Sequence, residues 1–151
     1  MNEPLQRGDY TITTNAQRQD VPAIHAFLSR SYWSAGIPLA LVQRAIDHSL
    51  CFGLFHRDEQ VGFARVVSDR ASFAYLADVY VLEAHRGRGL SKWLIEVVRA
   101  HPDLQGLRRF LLATRDAHGL YRQFGFKGLA APSRLMEVLD ADVYTRIASS
   151  R

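Results

Sequence analysis

The segment Arg86-Gly87-Arg88-Gly89-Leu90-Ser91-Lys92 sets two glycines among three cations, where an apolar strand pattern gives way to a helix pattern. A helix start presents unpaired backbone N–H groups and the positive end of the helix dipole, and together these favour phosphate. Glycine lets the backbone approach a pyrophosphate with no Cβ in the way. Arg86, Arg88 and Lys92 add positive charge at the same spot. The chemistry suggested is retention of a phosphorylated ligand; a glycine-assisted turn with solvated arginines is the structural alternative. A dinucleotide fingerprint does not fit, because Lys92 stands where its third glycine belongs and the loop follows a late strand. A Walker loop does not fit either, since it needs Gly-Lys-Ser/Thr after a longer spacer.

Asp78 interrupts an apolar strand, where a carboxylate is costly unless it is paired or functional. It is a candidate base, acting directly or through water, or the partner of an arginine such as Arg65. Cys51 is the single cysteine. It excludes an internal disulfide and multi-cysteine zinc patterns, and its apolar neighbours Leu50 and Phe52 suit a buried packing residue. The histidines at 25, 48, 56, 85, 101 and 118 show no pair at helical metal-ligand spacing with a carboxylate between them, so no metal is expected.

The elements that must hold these residues follow from periodicity. Tyr10 to Thr14 alternates as a strand. Asp20 caps a helix with Pro22 in its first turn, running to about Tyr32 through Val21, Ile24, Phe27 and Leu28. Gly36 ends it, and Pro38 opens a second helix with Leu39, Val42, Ile46 and Leu50 on one stripe. Cys51 to Phe55 and Gln60 to Ser68 form a hairpin, and Ser72 to Leu82 is a longer strand. Leu90, Trp93, Leu94, Val97 and Val98 make one apolar helix face. Phe110 to Thr114 is a strand, Ala117 to Phe124 a short helix closed by Gly125, and Phe126 to Leu129 and Arg134 to Leu139 are final strands. The strand–helix–strand unit from Ser72 to Thr114 is parallel and right-handed, which makes the sheet mixed.

The 151 residues fit one domain over 1–151, and a chain this size buries roughly 70% of its unfolded surface. Hydrophobic content of 48% and charged content of 23% are ordinary for a globular protein. No apolar run approaches the roughly 20 residues of a membrane span, and Met1 to Asp9 is too polar for a secretory signal, so the expectation is a cytoplasmic protein without membrane contact. The net charge of +4 is mild and its arginines are scattered, which argues against nucleic acid as partner.

The run Val79-Tyr80-Val81-Leu82-Glu83-Ala84-His85-Arg86-Gly87-Arg88-Gly89-Leu90-Ser91 resembles the acetyl-CoA-binding motif of the Gcn5-related N-acetyltransferases (GNAT), Gln/Arg-x-x-Gly-x-Gly/Ala after a strand and opening a helix. Arg86 and Gly89 match its first fixed positions; Ser91 departs from the last. A second pattern of that family, Asn, then Ala three residues on, then Leu-Tyr and a closing Gly-Phe, is similar to Ala117, Leu120, Tyr121, Gly125 and Phe126, with Thr114 in place of the Asn. The resemblance implies an α/β (α+β) domain: a central, mixed, mostly antiparallel sheet of six to seven strands, helices on both faces, and a splayed parallel strand pair holding acetyl-CoA.

By the same resemblance, an amine attacks the acetyl-CoA thioester directly, without an acyl-enzyme. Backbone N–H groups of Val79, Tyr80 and Val81 would hold the pantetheine arm and polarise the thioester; Arg86, Gly87, Arg88, Gly89, Leu90, Ser91 and Lys92 would hold the pyrophosphate; Thr114 would contact the cofactor. Tyr121 is implied as general acid to the thiolate, with Asp78 as base. Tyr32, Trp33, Phe63 and Arg65 are acceptor-pocket candidates, although Trp33 and Phe63 also suit a core. The acceptor implied is a primary amine on a small molecule. A protein or peptide N-acetyltransferase and a non-catalytic acyl-CoA-binding module share these motifs. Ser91 and Thr114 leave a longer acyl donor open, and analogy with similar proteins allows a homodimer.

Overall fold

A computed structural model of the chain describes residues 4–149, so Met1 to Glu3 of the polar N-terminal stretch lie outside the described residues. The elements in order are β1 (Leu5–Arg7), β2 (Tyr10–Thr13), α1 (Val21–Leu28), α2 (Leu39–Asp47), β3 (Leu50–His56), β4 (Glu59–Ser68), β5 (Phe73–Val81), α3 (Leu90–Ala100), β6 (Arg109–Leu112), α4 (His118–Arg122) and α5 (Val143–Ser149). The strands form one sheet in the order β1-β2-β3-β4-β5-β6. Its pairs are antiparallel except β5 with β6, which is parallel and connected through α3.

Each face of the sheet carries its own core. On one face, Leu90, Trp93, Leu94, Ile95 and Val98 of α3 pack with Phe52, Leu54, Val66 and Leu76 of the strands, and Tyr121 of α4 joins them. On the other, Ile24 and Leu28 of α1 and Val42 and Ile46 of α2 pack over Cys51, Phe63 and Tyr80. Fully burying each such side chain contributes about 1.5–3 kcal/mol. Asp20 caps α1 as its residue type predicts, accepting from the Ala23 N–H at 3.1 Å. Cys51 is buried, and burial pushes its thiol up to about 12.

The structure adds two elements that the sequence did not suggest, β1 and α5, and departs from the expected ones at four further places. α1 stops at Leu28, short of Tyr32, because serines divert the backbone: Ser31 Oγ donates to the Leu28 carbonyl at 2.7 Å and accepts from the Ser34 N–H at 3.0 Å. Tyr32 and Trp33 therefore sit in a loop. Leu50, read with the stripe of α2, begins β3, since α2 ends at Asp47. In α3 the inner face includes Ile95, while Val97 is only half-buried. The strands expected at Phe126 to Leu129 and Arg134 to Leu139 do not form. Phe126 packs its ring on Phe110 and Tyr121 instead, and Pro132 to Arg134 is a tight 3-10 turn. Among the described residues, no strand pairs with residues 136–139.

Candidate active site

β5 and β6 pair from Phe73 with Arg109 to Leu76 with Leu112, and there the pairing ends. β6 stops at Leu112 while β5 runs on to Val81. Across β5 and β4, Phe63 pairs with Tyr80 and Arg65 with Ala77, so Asp78 and Val79 together face Ala64. This is a β-bulge, and Asp78 takes the left-handed conformation with φ +56°. Aspartate tolerates that region better than most residues. The extra residue turns β5 away from β6, so the two strands part as a V with the β5 backbone unpaired on its open side. The side chains of Tyr80 and Val81 are buried, and the Tyr80 ring stacks on Phe27 at 3.9 Å. Only their main chain, with that of half-buried Val79, is on offer to a ligand in the V.

At the end of β5, Arg86 Nε donates to the Val81 carbonyl at 2.9 Å, folding this side chain back over the strand end. Gly87 and Gly89 then take left-handed φ values of +80° and +75°. A Cβ at either would meet nothing within 4 Å of its own surroundings, so the chain itself needs glycine here for conformation. Gly89 is the N-cap of α3 and no side chain caps that end. The first amides of α3 thus keep their hydrogen-bonding capacity beside the positive end of the dipole. Leu90 is buried and anchors the turn; Ser91 is half-buried; Arg88 and Lys92 project into solvent.

The other wall of the V is the loop after β6 and α4. Thr114 Oγ1 accepts from the Ala117 N–H at 3.0 Å, which sets up the turn into α4 and leaves the hydroxyl proton for another acceptor. Tyr121 is 8% exposed, its ring edge-on to Phe126 at 5.9 Å. Among the described residues its hydroxyl makes no hydrogen bond. Burial, and secondarily the nearby Tyr32, push this phenol up to about 12.

Asp78 faces the opposite side of the sheet. Its Oδ2 accepts from Arg65 Nε at 2.8 Å, its Oδ1 accepts from Trp33 Nε1 at 2.8 Å, and its side chain is 9% exposed. Arg65 is fixed in turn by donating from Nη1 to Ser49 Oγ at 3.1 Å. The arginine pairing anticipated for Asp78 is therefore formed. Arg65 and Asp78 line a cleft of about 530 Å³ with Ile37, Leu41, His48 and Tyr144. Tyr32 and Trp33 are exposed with their rings edge-to-face at 5.1 Å, and Trp33 reaches the cleft edge through its bond to Asp78. Phe63 is fully buried, so it packs the floor of the cleft. Ser49, Arg115 and Tyr144 were not anticipated here: Ser49 enters by its bond to Arg65, Arg115 by its stack on Tyr32, and Tyr144 by packing into the cleft.

The matching family model is the acetyltransferase (GNAT) family, over residues 21–126, which takes in both walls of the V and every cleft residue named above except Tyr144. This chain belongs to that family. It is 33% identical to a protein of Gibberella zeae named as an acetyltransferase, over 82% of this chain and 88% of that one. A crystal structure from Xanthomonas campestris pv. campestris, described as belonging to the GNAT family, is 55% identical with a TM-score of 0.89, covering 93% of this chain and 99% of that one. An acetyltransferase from Clostridium acetobutylicum, crystallised with acetyl-CoA, shares the fold at 12% identity and a TM-score of 0.62, covering 86% of this chain and 94% of that one. GNAT membership makes the chain an acyltransferase, and its six-stranded mixed sheet with the parallel β5–β6 pair matches the fold of these relatives.

Proposed function

We propose that this GNAT acetyltransferase moves an acetyl group from acetyl-CoA to a primary amine on a small molecule. The observation that carries the reading is the continuity of the V: the uncapped start of α3 stands at one end, and the unpaired Tyr121 hydroxyl stands on the wall beside β6. The first amides of α3, with Arg88 and Lys92, hold the pyrophosphate. The main chain of Val79 to Val81 binds the pantetheine arm and steadies negative charge on the thioester oxygen; such preorganised donors are worth about 3–4 kcal/mol each in other enzymes.

The amine nitrogen forms its bond to the acetyl carbon as the carbon–sulfur bond breaks, and the thiolate takes a proton. Tyr121 remains a phenol across the physiological range, because its pKa stands near 12. It donates a hydrogen bond to the departing sulfur and supplies the proton. Asp78 is committed to Arg65 and Trp33, so we assign it to ordering the cleft and the water that removes the ammonium proton. Trp33 and Tyr32 offer ring faces on which an amine rests by cation–π contact. A small acceptor is favoured over a peptide because Arg115, stacked on Tyr32 at 3.8 Å, already covers one ring face beside the cleft.

Thermal unfolding with acetyl-CoA, free CoA and ATP tests the first half. At a hundredfold excess over Kd, binding adds about 2.7 kcal/mol, a rise of roughly 5–10 °C in Tm. A shift with acetyl-CoA and none with ATP supports the assignment; no shift at millimolar acetyl-CoA removes it. A panel of polyamines, amino acids, aminoglycosides and peptides, run with wild type and Tyr121→Phe, tests the second half.

A further inference from the structure

The cleft on the α1–α2 side of the sheet joins an apolar wall to an excess of positive charge. Ile37, Leu41, Phe63 and Tyr144 contribute to the wall. Its volume of about 530 Å³ falls in the roughly 300–1,000 Å³ of small-molecule sites. The permanent charges on the lining are Arg44, Arg65 and Asp78. Among the described residues Asp78 is the one acid there, and both its oxygens already accept a hydrogen bond, from Arg65 and from Trp33. His48 also lines the cleft, with Nδ1 donating to the Arg44 carbonyl at 2.9 Å, which ties its ring to the end of α2.

The two arginines keep donors in reserve. A guanidinium carries five N–H groups. Arg65 gives one from Nε to Asp78 and one from Nη1 to Ser49, so three keep no partner among the described residues. Arg44 is exposed on α2 and enters no ion pair among the described residues. A polyamine or an aminoglycoside would bring several positive charges to this lining and set polar groups against its hydrocarbon. An acceptor with a carboxylate and an apolar side chain matches both halves. The contact of Arg65 with Asp78 at 2.8 Å narrows the match further. Opposite charges side by side complement a zwitterion whose ammonium and carboxylate stand on one carbon.

We propose that the acceptor is a free α-amino acid with a bulky apolar side chain, its carboxylate held by Arg65 and Arg44. The hydrocarbon rests on the wall of Ile37, Leu41, Phe63 and Tyr144, and the amine is left beside Asp78. A peptide N-terminus has an amide where this carboxylate would be, and a decarboxylated amine has nothing. The chemistry rests on the acetyl-transfer reading: the new nitrogen–carbon bond replaces the carbon–sulfur bond. The products are the N-acetylamino acid, the CoA thiol and one proton released to solvent. Selection by the cleft can be read without turnover.

Calorimetric titration with phenylalanine, phenylalaninamide, phenethylamine, glycine and spermidine, with and without CoA, measures that selection. Phenylalanine is expected to bind at least about tenfold more tightly than each of the others. Turnover with acetyl-CoA, followed by thiol release, is expected to rank kcat/KM in the same order. Arg44→Gln and Arg65→Lys are expected to weaken phenylalanine by about fivefold to thirtyfold and to leave phenethylamine within about twofold. A merely structural role would weaken both ligands alike. Unfolding midpoints confirm that the variants fold, and Arg44→Gln, at an exposed position, carries the test if Arg65→Lys does not. Absence of phenylalanine binding overturns the proposal. So does equal binding of the amide or of spermidine, or phenylalanine binding that the folded variants leave unchanged. If phenylalanine binds as expected and no amine is acetylated, the acetyl-transfer reading falls and the amino-acid site stands.

Discussion

The guanidinium of Arg115 lies 3.8 Å from the ring centroid of Tyr32, so the loop after β6 is bonded to the loop between α1 and α2 across the mouth of the V. Each loop hangs from a different face of the sheet, and the stack is what joins them. An exposed cation–π contact is worth about 0.5–1 kcal/mol. Arg115→Ala is therefore expected to raise KM for the amine by roughly two- to fivefold, with kcat little changed. Steady-state kinetics at saturating acetyl-CoA check this; an unchanged KM would detach the bridge from acceptor binding.

Removing Arg65 leaves the Asp78 carboxylate unpaired and nearly buried. Arg65→Ala is expected to cost about 2–3 kcal/mol, or roughly 5–10 °C in Tm. Asp78→Asn keeps a residue that tolerates φ +56°, whereas Asp78→Ala adds backbone strain of about 1 kcal/mol or more. The double variant Arg65→Ala/Asp78→Asn should be less destabilised than the sum of its parts, since the pair is lost only once. Additive costs in the thermal melts would mean that the two side chains are not coupled.

Tyr121→Phe removes a hydroxyl that holds no hydrogen-bond partner among the described residues, so Tm should hold while kcat falls by about a hundredfold or more. In wild type, loss of activity through ionisation of this phenol belongs near pH 12 rather than 10, because burial favours the neutral form. A kcat–pH profile with an alkaline limb at 10 that vanishes in Tyr121→Phe would contradict that placement.

The same burial gives the stability a sign. The folded pKa of Cys51 rises from 9.0 to about 12, and that of Tyr121 from 10.0 to about 12. Tyr80 is raised in the same direction, chiefly by burial. Each group binds its proton more tightly when folded, so its contribution is complete below the unfolded pKa and is lost as pH climbs toward the folded one. Stability should begin to fall near pH 9, at up to about 1.4 kcal/mol per pH unit for each group. Cys51→Ala, followed by urea melts between pH 8 and pH 10, should flatten the first part of that decline.

Gly89 caps α3 in the left-handed region. Gly89→Ala should cost about 1 kcal/mol of stability from backbone strain and raise KM for acetyl-CoA, as the first amides of α3 are re-aimed. An unchanged KM would place the pyrophosphate elsewhere.

Strands β2 to β6 and α3 were legible because their apolar residues mark buried faces, and the Arg86 to Ser91 loop because its glycines sit at a strand-to-helix junction; β1, exposed throughout, carried no such signal. The bulge at Asp78 was not legible as geometry, since an extra residue in a strand leaves no composition signature. Asp78 itself was visible only as a carboxylate out of place. The site's bracing by Ser49, Arg115 and Tyr144 depends on contacts between elements far apart in the chain. The strand expected over residues 134–139 does not form: its apolar composition suggested one, but among the described residues no neighbouring strand pairs with it.

The hydrogen bond from Trp33 to Asp78 gives the molecule a built-in optical reporter. The chain has two tryptophans; Trp93 is sealed in the α3 core at 4% exposure, while Trp33 stands at the cleft rim at 39%. Their emission should separate, with the red-shifted and quencher-accessible part coming from Trp33 alone. An acceptor settling on that rim would shift the red component and shield it from iodide, leaving the blue one untouched, so occupancy of the cleft can be followed by intrinsic fluorescence without any label.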